Sequence, residues 1–463
     1  MKSYIKYIIA ALAAITIAFC VASCDSFVEV DLPNSQLTGE AVFETTATAD
    51  AALLNIYARM RDRGMLSGNS AGMSNALGNY ADELDFYGNA SSPMFFFNSN
   101  SLVATNGTAA DYWNNAYNQI YQANAVLEGV AGSTGIPQAD KDRMRGEALF
   151  LRALLHFYLT NLYGEIPYVM TTDYEVNKVI SKSTQDVLYA QLIDDLEMAT
   201  TLLPEAYLSE GKSRANRYAA FALLSRVYLY NGQWAEASNA ASAVINQEAT
   251  YSMAPTVENV FLKNSPETIL QMPPANNGAQ TELGTTFNVL AAPPANSALR
   301  NDFLDAFETG DLRQQFWMGQ ITGGSTVYYF PRKYRQYTSG AESTEYSILL
   351  RLPEVYLIRA EARAMQGELT GAAEDLDAVR LRAGLVGTTA QTQTALLLAI
   401  ARERRVELFA EYGHRFFDLK RTGAIDVVLG MVKPGWNAED KRLPLPQNEL
   451  TLNPNLLPQN SGY

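Results

Sequence analysis

The sequence predicts an all-α-dominated fold of helix hairpins, with long irregular loops and a few short β pieces. Apolar residues recur at helical spacing in long segments, at 48–61, 111–130, 140–162, 186–203 and 215–230. At two helix junctions a turn glycine is followed five residues later by alanine, as Gly232 with Ala237 and Gly367 with Ala372. Glycine permits the tight turn and alanine lets two helices approach closely, which is typical of a tetratricopeptide-like hairpin.

The first residues have the pattern of an export signal. Lys2 and Lys6 precede an almost wholly apolar run at 7–21, which is shorter than the roughly 18–20 residues that a membrane-spanning helix needs. The run ends in Val-Ala-Ser before Cys24, which resembles a bacterial lipobox, whereas the rival Cys20 follows the bulky Phe19. We therefore expect a signal peptide at 1–23 and a lipidated, palmitate-carrying Cys24, so that the protein is anchored to a membrane without spanning it.

The rest of the chain, 24–463, is expected to form a single domain, because no Pro/Ser/Gly-rich linker divides it. A tether at 24–40 leads to an N-terminal helical half at 41–250, which contains a Gly/Asn/Ser-rich loop at 64–106. An irregular insertion at 251–345, rich in Pro and Gly and with a β-like piece at 325–330, separates this half from a C-terminal helical half at 346–463. Functional residues often lie on loops held by a rigid scaffold, so the loop and the insertion are predicted to form the ligand face.

Composition narrows the possible partners. The net charge of −14 argues against nucleic acid and anionic lipid headgroups. Only 18% of residues are charged while 26 are tyrosines, which suits neutral, hydroxyl-rich ligands. The same tyrosines and asparagines are also compatible with a role in helix cores and loops.

Motifs of enzyme chemistry are absent from the sequence. There is no phosphate-binding Gly-x-x-x-x-Gly-Lys-Ser/Thr, no His-Glu-x-x-His and no Gly-x-Ser-x-Gly pattern. The two histidines, His156 and His414, fall within predicted helices. We expect no catalytic residue, no metal site and no cofactor. Carboxylate pairs such as Asp82/Glu83 and Asp194/Asp195 leave open the alternative of a surface glycoside hydrolase.

An aromatic platform flanked by polar side chains is the chemistry that a sugar ligand requires. Seven aromatic residues lie in the two irregular segments and are the candidates for this platform. Those of the early loop are Tyr87, Phe95 and Phe96, and those of the insertion are Trp317, Tyr328, Tyr329 and Tyr334.

Four segments, in order, resemble the SusD/RagB family over essentially the whole mature chain. They are the helix at 145–167 that ends in Leu-Tyr-Gly-Glu-Ile-Pro, the helix at 351–362 that begins Arg-Leu-Pro-Glu, the segment at 401–423 with Arg-Glu-Arg-Arg-Val-Glu-Leu, and the terminal pieces at 443–450 and 453–456 with Pro-Leu-Pro-Gln-Asn-Glu-Leu and Asn-Pro-Asn. In relatives of this kind, acidic residues after the lipidated cysteine, here Asp25, Glu29 and Asp31, accompany export to the cell surface.

The resemblance implies a surface-exposed lipoprotein of the outer membrane, facing the cell exterior. It would capture a nutrient, most often an oligosaccharide or polysaccharide, and act as the lid of a SusC-like TonB-dependent transporter. The family also includes RagB-like lids that handle peptides, so a peptide ligand is one alternative. A purely scaffolding helix-repeat protein without a ligand is another.

Overall fold

The computed structural model describes residues 39–463. The predicted signal peptide, Cys24 and the tether up to residue 38 lie outside the described residues. The chain divides into two compact units at Val42 and Phe43. The first contributes helix α1 (Gly39–Val42), and every element named below belongs to the second. No helix among residues 39–463 combines the length and the hydropathy needed to cross a membrane.

The N-terminal half is helical, and each of the five helices expected there is confirmed. Its elements are α2 (Thr46–Asp62), α3 (Met73–Tyr80), α4 (Pro93–Asn98), α5 (Gly107–Gly132), α6 (Gln138–Tyr163), α7 (Tyr174–Asn177), α8 (Gln185–Leu202), α9 (Arg217–Tyr230) and α10 (Trp234–Ile245). Helix α6 is buried on all sides over its last five turns and packs between α5 and α8. It ends at Gly164, whose φ of +83° is a conformation that glycine adopts readily.

The C-terminal half continues the hairpins and confirms the all-α-dominated prediction. Its helices are α13 (Leu352–Met365), α14 (Leu369–Arg382), α15 (Gln393–Glu407), α16 (His414–Arg421), α17 (Ile425–Val432) and α18 (Gln447–Leu452), numbered after α11 and α12 of the insertion. The hairpin glycines Gly232 and Gly367 have φ of +72° and +82°. Ala237 and Ala372 are completely buried. The glycines therefore form the tight turns, and the alanines lie at the buried helix contacts, as their spacing predicted.

The two irregular segments contain more regular structure than the sequence predicts. Segment 64–106 holds α3, α4 and strand β1 (Leu84–Phe86). The insertion holds α11 (Glu282–Phe287), α12 (Leu312–Trp317) and strands β2 (Thr268–Met272), β3 (Ser297–Leu299), β4 (Met318–Gly323) and β5 (Thr326–Pro331), and β6 (Ser347–Arg351) follows. Strand β5 confirms the β-like piece expected at 325–330. The short helices escaped prediction because burial, rather than intrinsic propensity, holds them, as in the wholly buried α3.

A buried ion cluster fastens the insertion to the helical scaffold. Three arginine side chains, none more than 3% exposed, bind the fully buried carboxylate of Glu407 on α15: Arg313, Arg351 and Arg382. These arginines come from α12, β6 and α14. Because an unpaired buried charge is costly, each arginine fixes the position of its own element relative to α15.

Candidate functional site

The early loop and the insertion meet in one four-stranded antiparallel sheet of order β1-β3-β5-β4. Strand β1 of the early loop pairs with β3 of the insertion, with Leu84 opposite Leu299 and Phe86 opposite Ser297. Strand β3 pairs in turn with β5, with Leu299 opposite Tyr329. The two segments predicted to form the ligand face are thus joined by backbone hydrogen bonds into a single surface.

Two of the candidate aromatics form a pair at this sheet. The rings of Tyr87 and Tyr328 lie edge to face, with centroids 5.4 Å apart and planes at 86°. Tyr87 follows β1, donates its backbone N–H to the carbonyl of Asn296 at 2.6 Å and remains 42% exposed. Side chains alternate along a strand, so the buried Leu84 points into the core whereas Asp85 and Tyr87 point away from it. Tyr328 is likewise on the face opposite to Tyr329 and is partly exposed.

A charged trio lies beside the tyrosine pair. The Arg300 guanidinium contacts an Asp85 oxygen at 3.1 Å and an Asp302 oxygen at 3.0 Å. The side chains of Asp85 and Asp302 are 40% and 46% exposed, so their remaining lone pairs face solvent. Partial burial raises the pKa of Tyr87, and the negative charge of Asp85 raises it further, so the hydroxyl keeps its proton at neutral pH. The face therefore combines aromatic rings with hydroxyl, carboxylate and guanidinium groups.

Sequence reasoning did not identify the charged trio. Asp85 alternates with Phe86 and Tyr87 in the strand-like run Leu-Asp-Phe-Tyr, and this period-two pattern was a usable signal. Nothing in the sequence indicated that Arg300 would lie next to it, because the register between β1 and β3 joins two distant segments. The backbone N–H of Arg300 donates to the carbonyl of Glu83 at 3.0 Å, which fixes this register at the end of β3.

Phe95, Phe96 and Tyr329 lie near this face without joining the tyrosine pair. Phe95 and Phe96, on α4, contact each other edge to face at 5.9 Å and are half-buried. Helix α4 is attached to β1 by a 3.2 Å hydrogen bond from the Phe86 N–H to the Asn98 side chain. Tyr329 packs against the main core from the other side of β5. These three residues remain candidates, but Tyr87 and Tyr328 are the two whose rings meet.

The predictions for Trp317 and Tyr334 need correction. Trp317 is only 1% exposed, its indole N–H donates to the carbonyl of Val257 at 2.9 Å, and its ring packs edge-on against Phe261. Tyr334 is 5% exposed, and its hydroxyl accepts the Ile348 N–H at 2.9 Å. Both lie in a Gly/Pro-rich segment that folds back onto the core, so neither offers a ring to a ligand in this structure.

The carboxylate pairs considered for hydrolysis do not form accessible acid–base pairs. Asp82 is 3% exposed and binds Arg415 at 2.7 Å, and Glu83 is 2% exposed. Asp195 is buried and paired with Arg152 at 2.6 Å, whereas its neighbour Asp194 is exposed. Neither pair therefore offers two accessible carboxyl groups of the kind that flank a scissile glycosidic bond.

The described part of the chain has no cluster of side chains that could coordinate a metal ion. Residues 39–463 contain no group of three or more His, Cys, Asp or Glu side chains arranged to hold a metal ion. His156 is fully buried and stacks on Tyr168 with ring centroids 4.0 Å apart. Burial lowers the pKa of His156 to about 3, so this ring is neutral in the folded protein.

Two family models match this chain, and both describe SusD-like proteins. Residues 31–229 match a SusD-like family described as "Starch-binding associating with outer membrane", and residues 314–463 match the SusD family. A SusD-like protein of Formosa agariphila is 25% identical, with 96% of this chain and 97% of that protein aligned. The chain belongs to the SusD/RagB family.

Solved structures of this family share the fold. A SusD superfamily protein from Bacteroides vulgatus superposes with a TM-score of 0.80 at 20% identity, covering 91% of this chain and 99% of that one. A laminarin-binding SusD-like protein superposes with a TM-score of 0.77 at 25% identity, covering 91% of this chain and all of the other.

Proposed function

We propose that the protein binds an oligosaccharide or polysaccharide at the Tyr87–Tyr328 face and releases it chemically unchanged. The observation that carries the proposal is the perpendicular tyrosine pair next to the Asp85–Arg300–Asp302 trio. Tyrosine rings pack against the apolar C–H faces of sugars and keep a polar hydroxyl at their edge. The carboxylates accept hydrogen bonds from sugar hydroxyls, and the guanidinium donates to sugar oxygens.

The relatives support the same ligand class. The laminarin-binding SusD-like protein aligns with this chain over its whole length, and the family matched by residues 31–229 is described as starch-binding. The acidic net charge of −14 is compatible with a neutral ligand. A peptide ligand, as in RagB-like lids, has no comparable support from the face, where the apolar surface consists of tyrosine rings flanked by charges.

We further propose that the protein is lipid-anchored through Cys24 in the outer membrane, faces the cell exterior, and delivers its ligand to a SusC-like TonB-dependent transporter. The lipobox sequence before Cys24 and the acidic residues after it support the anchor. The family description names an association with the outer membrane. In this arrangement the protein closes over the mouth of the transporter and passes on a ligand held at the Tyr87–Tyr328 face.

Binding is tested by isothermal calorimetry on the full chain in detergent, with one panel of neutral oligosaccharides, including laminarin oligosaccharides, and one of mixed peptides. Saturable binding of a saccharide without new reducing ends after prolonged incubation is the expected result. Peptide binding alone contradicts the proposed ligand class, and released reducing ends contradict the absence of catalysis. If neither panel binds, the scaffold alternative is favoured.

Anchoring is tested separately with Cys24→Ser, and Cys20→Ser serves as the matched control. The Cys24→Ser protein is expected to lose incorporation of labelled palmitate and to leave the outer-membrane fraction, whereas Cys20→Ser behaves like the wild type. Palmitate incorporation that persists in Cys24→Ser contradicts the assignment of the lipidated residue. Delivery is tested by co-purification of a TonB-dependent transporter with the affinity-tagged wild type.

A further inference from the structure

A second concave surface lies against the segment that follows the charged trio along the chain. This α15 groove, of about 890 Å³, lies between the exposed side of α15, the loop at 386–392 and the segment at 305–308. Its volume is within the range of roughly 300–1,000 Å³ that is usual for small-molecule sites. The groove is not part of the sheet that carries the tyrosines.

One short helix connects the groove to the tyrosine face. The 3₁₀ helix Asn301–Ala306 begins directly after Arg300 of the charged trio and runs to the wall of the groove. Residues three apart eclipse each other in a 3₁₀ helix and lie about 6 Å apart along its axis. Asp302, which binds Arg300, and Asp305, which lines the groove, therefore project from the same side of this helix. This side of the helix therefore leads from the charged trio to the groove.

The charges on the floor of the groove are neutralised within the protein. Arg313 is fully buried and binds Asp311 at 2.8 Å and Glu403 at 2.5 Å. Arg380 binds Glu308 at 2.6 Å. The floor therefore has little net charge to attract a strongly ionic ligand.

The rim, in contrast, offers exposed polar groups whose hydrogen-bonding capacity is unused within the described residues. In the part of the chain that the structure describes, the side chains of Asp305, Thr389 and Gln391 line the groove without a hydrogen bond or ion pair. Arg402 also lines the groove and makes no hydrogen bond there, and its positive charge helps to lower the pKa of Glu308. Between them lie the apolar side chains of Val386 and Leu398, which are 77% and 59% exposed. Exposed apolar groups together with hydrogen-bonding groups match a ligand with C–H faces and many hydroxyls.

We propose that the α15 groove is a second saccharide subsite, which continues the Tyr87–Tyr328 face along the 3₁₀ helix and selects neutral chains long enough to occupy both. This inference rests on the proposed function and adds a preference for chain length. The first units of the saccharide pack on the tyrosine pair, and later units pass the side of the 3₁₀ helix that carries Asp302 and Asp305. Arg402, Thr389 and Gln391 then bind hydroxyls of the distal units.

The test is calorimetry of the full chain in detergent with laminarin oligosaccharides from the disaccharide to the hexasaccharide, or the same length series of whichever panel glycan binds. Arg402→Ala removes a groove donor, and Arg59→Ala, an exposed arginine on α2, is the matched control for charge. Affinity of the wild type is expected to rise with chain length. Arg402→Ala should lower hexasaccharide affinity roughly tenfold, because hydrogen bonds to charged groups are the stronger ones, and leave disaccharide affinity unchanged.

Each other result overturns the inference. A wild-type affinity independent of chain length, an equal effect of Arg402→Ala on short and long chains, or an equal effect of Arg59→Ala each shows that the groove is not a subsite. Peptide binding that Arg402→Ala abolishes assigns the groove to another ligand class. If no saccharide of any length binds, the proposed function fails and the subsite with it.

Discussion

Tyr87 and Tyr328 come from opposite halves of the sequence, yet their rings lie edge to face with centroids 5.4 Å apart. The contact depends on the pairing of β1 with β3 and of β3 with β5, which places both residues on the same side of one sheet. An edge-to-face pair of this kind contributes about 0.5–1.5 kcal/mol beyond the area that it buries. The arrangement holds two aromatic surfaces in a fixed relation before any ligand arrives.

Mutual support between the two rings predicts non-additive effects on binding. Tyr87→Ala and Tyr328→Ala each remove ligand contacts and also free the remaining ring. The double variant is therefore expected to lose less binding free energy than the two single variants summed, with a coupling of about 0.5 kcal/mol or more. Calorimetry of the four proteins measures this coupling, and strict additivity would show that the rings act independently.

Trp317 is predicted to stabilise the fold without contributing directly to ligand binding. Trp317→Ala removes a buried indole and its hydrogen bond to Val257, and we expect it to lower the free energy of unfolding by about 3–5 kcal/mol. Urea denaturation followed by circular dichroism measures the change. The milder Trp317→Phe should retain wild-type saccharide affinity in the folded protein. A folded Trp317→Phe protein that has lost saccharide binding would restore this residue to the ligand platform.

Glu407 is predicted to be among the most sensitive positions for stability. Glu407→Gln preserves size but removes the carboxylate that Arg313, Arg351 and Arg382 share, at an expected cost of about 3–5 kcal/mol. Each arginine keeps a second acidic partner, so the cost arises from the excess of buried positive charge. The matched control is Glu175→Gln, because Glu175 is 73% exposed and its ion pair is with the exposed Lys178. The control should change stability by about 0.5 kcal/mol or less. Equal effects in urea denaturation would contradict the structural role of the buried cluster.

The buried carboxyl group of Glu83 is predicted to make the stability of the protein depend on pH near neutrality. Burial, together with the neighbouring negative charge of Asp82, raises the pKa of Glu83 to about 7. One carboxyl oxygen has no hydrogen-bond partner within the described residues, and the other lies 3.4 Å from the Ala410 N–H. The neutral form is therefore the better-accommodated one, although Arg415 and Lys333 partly oppose the shift.

The direction of the effect follows from the raised pKa of Glu83. The folded protein holds this proton more tightly than the unfolded chain, so the resulting stability is fully present below about pH 4.5 and is lost as the pH rises through about 7. Its size is on the order of 3 kcal/mol. Glu83→Gln remains neutral, so relative to the wild type it should gain stability between pH 5 and pH 8. A difference between the two proteins that does not change with pH in urea titrations contradicts the shift.

The sequence predicted the parts of the fold that depend on local patterns. Long amphipathic runs gave the helices to within a few residues, and the Gly232 and Gly367 turns marked the hairpins, because helical periodicity and turn chemistry are encoded over short distances. The sheet was not predictable in the same way. Strands β1 and β3 are each 3 residues long and pair across a wide gap in sequence.

The candidate site could likewise be predicted only where it depends on local sequence. Sequence composition pointed to the aromatics of the two irregular segments, and among these Tyr87 and Tyr328 are in contact. It did not distinguish them from Trp317 and Tyr334, because the burial of a side chain in a Gly/Pro-rich segment is decided by tertiary packing. The role of Arg300 could not be predicted either, because its partner Asp85 lies on a strand that is distant in sequence.

Saccharide binding at the tyrosine pair is measured most directly by comparing Tyr328→Ala with Tyr174→Ala. Tyr174, on α7, is 72% exposed and is the matched control for removing a surface tyrosine. By calorimetry with the panel saccharide that binds the wild type, Tyr328→Ala should weaken affinity about tenfold, or about 1.4 kcal/mol, and Tyr174→Ala should leave it unchanged. Wild-type affinity in Tyr328→Ala, or an equal loss in Tyr174→Ala, would contradict the proposed site.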